Sequence, residues 1–211
     1  MTTLTIALLG GSGNVGGHYA TAALDAGHSI RALARNADKL AIADHPDVTA
    51  IQGDATSASD VGALIDGADV VVSCVGNPNK QVHIMEATAN NVLSAAAKIP
   101  SPPRCIFISS MGCGGTSWLL AKVLGPIGGR ASWADYEAAD LRIRDEKEVP
   151  FVLLRPYGMN DKPGKGTYKI SDKSSVTFAL PIPKADVAKF LLDATTDNQW
   201  DGPAGVQLTG A

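Results

Sequence analysis

The residues Gly10-Gly11-Ser12-Gly13-Asn14-Val15-Gly16-Gly17 follow the short apolar run Leu4 to Leu9 and open a segment of helical character from Val15 to Ala26. A GxxGxxG pattern at a strand-to-helix junction constrains the chain tightly, because each glycine has a separate backbone task. Gly10 permits the tight turn, Gly13 lets the backbone approach a phosphate without a Cβ in the way, and Gly16 allows the helix to pack closely on the strand. Gly11, Ser12, Asn14 and Val15 complete the turn. The free N–H groups at the start of the following helix, together with its dipole, favour a diphosphate there. The pattern therefore predicts a dinucleotide site at the first βα junction.

The rest of the sequence supplies the fold that such a junction needs. Apolar runs near Leu4 to Leu9, Ser29 to Ala34, Val48 to Gln52, Val70 to Cys74, Arg104 to Ile108, Phe151 to Leu154 and Val206 to Thr209 read as strands. Helical patterns fall between them at Val15 to Ala26, Ala58 to Ile65, Gln81 to Ile99, Ser132 to Glu146 and Lys184 to Ala194. Continuous Val, Ile, Leu and Ala runs, rather than alternating ones, are expected when helices cover both faces of a sheet. The expectation is an α/β chain: one Rossmann-type, doubly wound, mostly parallel sheet of about seven strands. A length of 211 residues suits a single domain over 1–211. Excursions on the substrate side are expected near 111–135, with a short helix among its apolar residues, and near 157–180. Within the latter, Thr167 to Ile170 and Val176 to Phe178 allow either a small hairpin over the pocket or a plain surface loop.

Composition narrows the partners. Charged residues make up 18% and the net charge is −3, with no Lys/Arg block interleaved with aromatics, so a nucleic-acid surface is not expected. No apolar stretch reaches the roughly 20 residues that cross a bilayer, and the N-terminus lacks a cationic leader. Cys74, Cys105 and Cys113 are odd in number and lack metal-ligand spacing, which argues against a disulfide framework or a zinc site and suits the cytoplasm. The expected partner is a small-molecule substrate, bound by a monomer or small homo-oligomer.

The end of the second strand bears on which dinucleotide binds. Sites for NAD usually place an acidic residue there for the ribose hydroxyls. Here Arg35 follows Ala34, and its planar fork suits a ribose 2′-phosphate, with Lys39 one turn onward as a second cation, unless both are solvated surface charges. NADP(H) is thus expected. After the third strand, Asp54 can accept from the adenine amino group, cap the next helix, or both; Ala55 adjoins it. Cys74, Val75 and Gly76 end the fourth strand on the same edge.

With these motifs in order, the chain resembles the atypical short-chain dehydrogenase/reductases, specifically the NAD(P)H-binding NmrA-like group that includes flavin and biliverdin-IXβ reductases. Gly10 to Gly16 match the glycine turn, Arg35 the NADP-selecting arginine, Gly53-Asp54 the third-strand aspartate and Ser109-Ser110 the fifth-strand serines. Arg155-Pro156-Tyr157 looks like the strand end beside the nicotinamide, and Ile182 to Ala188 like the late helix that closes the domain. The resemblance implies a Rossmann fold and hydride transfer from NADPH. Ser109, Ser110 and Tyr136 are then the candidate catalytic residues.

One departure stands out. Full dehydrogenases of this superfamily carry Tyr-x-x-x-Lys, whose cation lowers the tyrosine pKa. Here Asp140 follows Tyr136 by four residues, and a carboxylate on the same helix face favours protonated tyrosine. Tyr136 as general acid competes with a role as pocket wall. Ser109 and Ser110 either orient a substrate or end a strand. His83 is either a proton donor or a structural residue at a helix start, and Met111, Trp118 and Tyr157 are either apolar walls or core. An NADPH-dependent reductase is the leading expectation. A non-catalytic NADP(H) sensor, a cofactor-retaining isomerase or epimerase, and a nucleotide-binding methyltransferase are the alternatives, the last opposed by Arg35.

Overall fold

The first strand shows how the layers arise. In β1, Thr5–Leu9, successive side chains point to opposite faces: Ile6 and Leu8 enter one apolar cluster, Ala7 and Leu9 the other, and all four are fully buried. A strand buried on both faces carries no polar alternation, which is why these segments read as unbroken apolar runs. The computed structural model describes residues 2–76, 83–114, 130–171 and 180–211.

The remaining strands are β2 Ser29–Ala34, β3 Val48–Gln52, β4 Val70–Ser73, β5 Arg104–Ile108, β6 Phe151–Pro156, β7 Tyr168–Ser171 and β8 Val206–Gly210. Their order is β3-β2-β1-β4-β5-β6-β8-β7, and every pair is parallel except β7 with β8. Helices α1 Asn14–Asp25 and α5 Lys184–Thr196 cover one face, where Tyr19, Phe190 and Leu191 meet Ile6, Leu8 and Val152. Helices α2 Ala58–Ile65, α3 Ile84–Ala96 and α4 Arg130–Arg144 cover the other, where Leu64, Val92 and Ile143 meet Leu9, Phe107 and Leu153. This is the expected doubly wound α/β architecture.

Eight strands are found among the described residues, against about seven expected. The extra one, β7, places Tyr168 opposite Gly210 and Ser171 opposite Gln207 as an antiparallel edge. Antiparallel edge strands on parallel sheets are common and need no crossover helix. Tyr168 to Ile170 thus form part of an edge strand rather than a plain loop; the second arm of the expected hairpin, Val176 to Phe178, lies outside the described residues. So do Trp118, the short helix expected around it, and Gln81, the expected first residue of α3.

Chain order reverses between β1 and β4: β2 and β3 extend to one side, β4 to β6 to the other. A crevice at the carboxyl ends of strands at such a switch point is where open α/β sheets bind ligands. The glycine turn lies at that point.

Candidate dinucleotide and substrate site

A cleft of about 1050 Å³ runs along this edge. It reaches from the end of β3 to the end of β6, across six strands spaced ~4.8 Å apart, or roughly 24 Å. Three groups of residues line it in sheet order.

In the middle is the glycine turn. Gly10 adopts φ +78°, and a Cβ on it would stand 2.6 Å from the carbonyl carbon and oxygen of Cys74. A Cβ on Gly16 would collide with the Gly10 carbonyl oxygen, and one on Gly11 would press on Leu8 at 3.1 Å. Among the described residues, and apart from its chain neighbours, the atom within 4 Å of a Cβ on Gly13 would be the Gly10 oxygen, at 3.3 Å, and Gly13 lines the cleft. Gly13 is also the N-cap of α1 and provides no side-chain cap, and the first turn holds no acidic residue. Helix-terminal amides and a positive dipole end are thus left facing a cleft lined by Gly10, Ser12, Gly13 and Val15. The cradle fits a diphosphate. Asn14 turns away from it, donating from Nδ2 to Asp161 Oδ1 at 3.1 Å.

Toward β3, the cleft is lined by Ala34, Arg35, Asp54, Ala55 and Thr56. Asp54 Oδ1 accepts from the Thr56 amide and hydroxyl, both at 2.8 Å, and these bonds, helped by the Arg35 charge, hold its carboxyl below the ordinary carboxylate range. It does not cap α2: Ser57 does, accepting from the Asp60 amide at 3.4 Å. Lys39 sits in a short 3-10 turn, Ala37–Lys39, exposed and away from the cleft walls.

Toward β6, the cleft meets Cys74, Val75 and Gly76, then Ser109, Ser110 and Pro156 at strand ends. Burial pushes the Cys74 thiol up to about 12, so it stays protonated at neutral pH. Tyr136 lines the same end from α4, its hydroxyl 3.9 Å from where a Cβ on Gly76 would be. Ser132, Trp133 and Met159 complete the wall and were not singled out in the sequence. Trp133 stands three residues before Tyr136, a helical spacing that puts both on one face. Met159 follows Gly158, whose φ of +53° turns the chain after β6, and no sequence signal marks it.

Arg155 requires a correction. Expected beside the nicotinamide, it is instead 1% exposed and points into the protein, where Nε and Nη2 bond Asp140 Oδ2 and Oδ1, each at 2.8 Å. Nη1 donates to the Ala204 carbonyl, and Gly205 leaves the room that the guanidinium occupies. Asp140, fully buried, also accepts from Ser109 Oγ at 2.8 Å. The carboxylate at the position of the usual lysine is thus neutralised from behind by an arginine. Tyr157 and Met111 do not line the cleft; Met111 is core.

His83 lines the cleft as the N-cap of α3, with φ +65°, the one positive φ outside glycine among the described residues. Its Nδ1 lies 3.2 Å from Glu86 Oε2, and Asp135 lies close by. Both Asp135 oxygens accept from α3 amides, those of Met85 and Glu86, at 3.0 Å, so this group acts as a cap joining α4 to α3.

Comparison with solved structures finds the same fold in several reductases and dehydrogenases. An anaerobilin reductase from Escherichia coli O157:H7, ChuY, superposes with TM-score 0.79 at 22% identity, covering 97% of this chain and 96% of that one. A short-chain dehydrogenase/reductase from Veillonella parvula, solved in complex with NADP, gives 0.79 at 18% identity over 100% and 95%. The oxidoreductase ylbE from Lactococcus lactis gives 0.83 at 17% over 99% and 91%. No described helix is long and apolar enough to cross a membrane. In sequence, residues 10–198 match the NAD(P)H-binding family, and the chain belongs to that family.

Proposed function

We propose that the protein is an NADPH-dependent reductase acting on a small planar or carbonyl acceptor. NADPH would supply the hydride; the chain would supply position and electrostatics. The observation that carries this reading is the continuity of the cleft, which joins Arg35, the uncapped amides of α1 and the hydroxyls of Ser110 and Tyr136 along one edge. Arg35 receives the 2′-phosphate, the turn from Gly10 to Gly16 receives the diphosphate, and Trp133, Tyr136 and Met159 form the wall against which a planar acceptor lies. Ser110 and Tyr136 orient the acceptor oxygen.

A second reading, a non-catalytic NADP(H) sensor, is favoured by one feature: Asp140 stands where Tyr-x-x-x-Lys enzymes carry a cation. Following NADPH absorbance against flavins, biliverdin, quinones and aldehydes separates the two. Turnover with any acceptor supports the reductase, whereas tight NADPH binding without consumption across the panel supports the sensor.

A further inference from the structure

Ser109 sits at the cleft end of β5 with its hydroxyl already committed. Its Oγ donates to Asp140 Oδ2 at 2.8 Å, and Asp140, as the ion-pair partner of Arg155, is an acceptor only. A hydroxyl has one hydrogen, so what Ser109 has left is lone pairs. The neighbouring Cys113 thiol, hydrogen-bonded to Ser109 and kept protonated because burial pushes its pKa far up, gives a hydrogen rather than taking one, which still leaves Ser109 Oγ a lone pair. The next serine differs: among the described residues, Ser110 Oγ makes a long bond, 3.5 Å, to the Met111 carbonyl, and remains able to donate elsewhere.

We propose that Asp140 and Arg155 act as positioning residues that make Ser109 a one-way acceptor, and that the group it receives is the nicotinamide carboxamide N–H₂. The inference rests on the reading of the cleft as an NADP(H) site. With the diphosphate at the end of β1, the reactive end of the coenzyme lies toward β4 and β5, and the carboxamide is the one hydrogen-bond donor that the nicotinamide base offers. Ser109 then fixes the ring, and polarising an acceptor carbonyl falls to donors such as Ser110. The two adjacent serines have opposite hydrogen-bonding roles, set by a charge pair buried behind one of them.

The test is calorimetric and needs no substrate. NADP⁺ is compared with its 3-acetylpyridine analogue, which keeps the carbonyl and replaces the amide N–H₂ by a methyl group. Wild-type protein is expected to bind the analogue about 3- to 10-fold more weakly, the worth of one hydrogen bond. In Ser109→Ala the two ligands should bind alike, through a loss confined to NADP⁺. In the double variant Asp140→Leu/Arg155→Met, which removes both buried charges, the Ser109 hydrogen is released to donate to the ketone and discrimination should shrink. Equal binding of both ligands by wild type, undiminished discrimination in Ser109→Ala, or wild-type discrimination in a folded double variant overturns the proposal. Failure of wild type to bind NADP⁺ at all overturns the cofactor reading beneath it.

Discussion

The α-carbon of Gly16 lies so near the carbonyl of Gly10 that a methyl group on it would collide with that oxygen. The first turn of α1 is thereby pressed onto the end of β1, which aims the helix amides at the cleft. Neither partner can yield cheaply, since the contact is with backbone. Gly16→Ala should therefore destabilise the fold by about 1–3 kcal/mol, despite alanine's better helix propensity. Urea unfolding measures this; a variant as stable as wild type would mean that α1 can shift without cost.

Arg35 is exposed at the end of β2 and lines the cleft, and it is the cation we assign to the 2′-phosphate. Arg35→Asp should weaken NADPH by roughly 10- to 100-fold, the worth of a charged hydrogen bond, while changing NADH little. Fluorescence titration of both coenzymes checks it. Equal losses for the two would remove Arg35 from that role.

The Asp140–Arg155 pair is sealed from water, with exposures of 0% and 1%. Removing one partner strands a buried charge, so Asp140→Ala should cost about 3–5 kcal/mol, whereas replacing both with apolar residues should cost far less. Chemical denaturation of the single and double variants decides. Equal losses would show that the charges are individually solvated rather than coupled.

Burial raises the Cys74 thiol from 9.0 to about 12. A group whose pKa is raised on folding stabilises the fold below its unfolded value, and that contribution fades as pH climbs through the folded one. Stability should fall between about pH 9 and about pH 12, less steeply in Cys74→Ala. Thiol titration at pH 8 should be slow in the native protein and fast after unfolding. Prompt native labelling of Cys74 would contradict this.

The parts of the molecule readable from sequence are those whose signal is local. Strand runs such as Val70 to Ser73 are buried on both faces and declare themselves by apolarity alone, and the glycine turn declares itself by spacing. Strand β7 was missed as such because Tyr168–Ser171 is short, half polar and paired with a segment near residue 210. The ion pair was illegible for a different reason. Asp140 lies on α4 and Arg155 on β6, and nothing in either neighbourhood says that the two meet. The family resemblance put Arg155 beside the nicotinamide; the alternation of strand side chains decides which way it points, and Pro156, one residue on, faces the cleft instead. Trp133 was overlooked, although its spacing to Tyr136 puts the two on one helix face.

The central claim is that the glycine turn and Arg35 together hold NADPH. Titrating NADPH and NADH separately into the purified protein in a calorimeter tests it most directly. One NADPH is expected to bind per chain, roughly tenfold or more tightly than NADH. No heat of binding from either coenzyme at millimolar concentration, or equal affinity for the two, would contradict it.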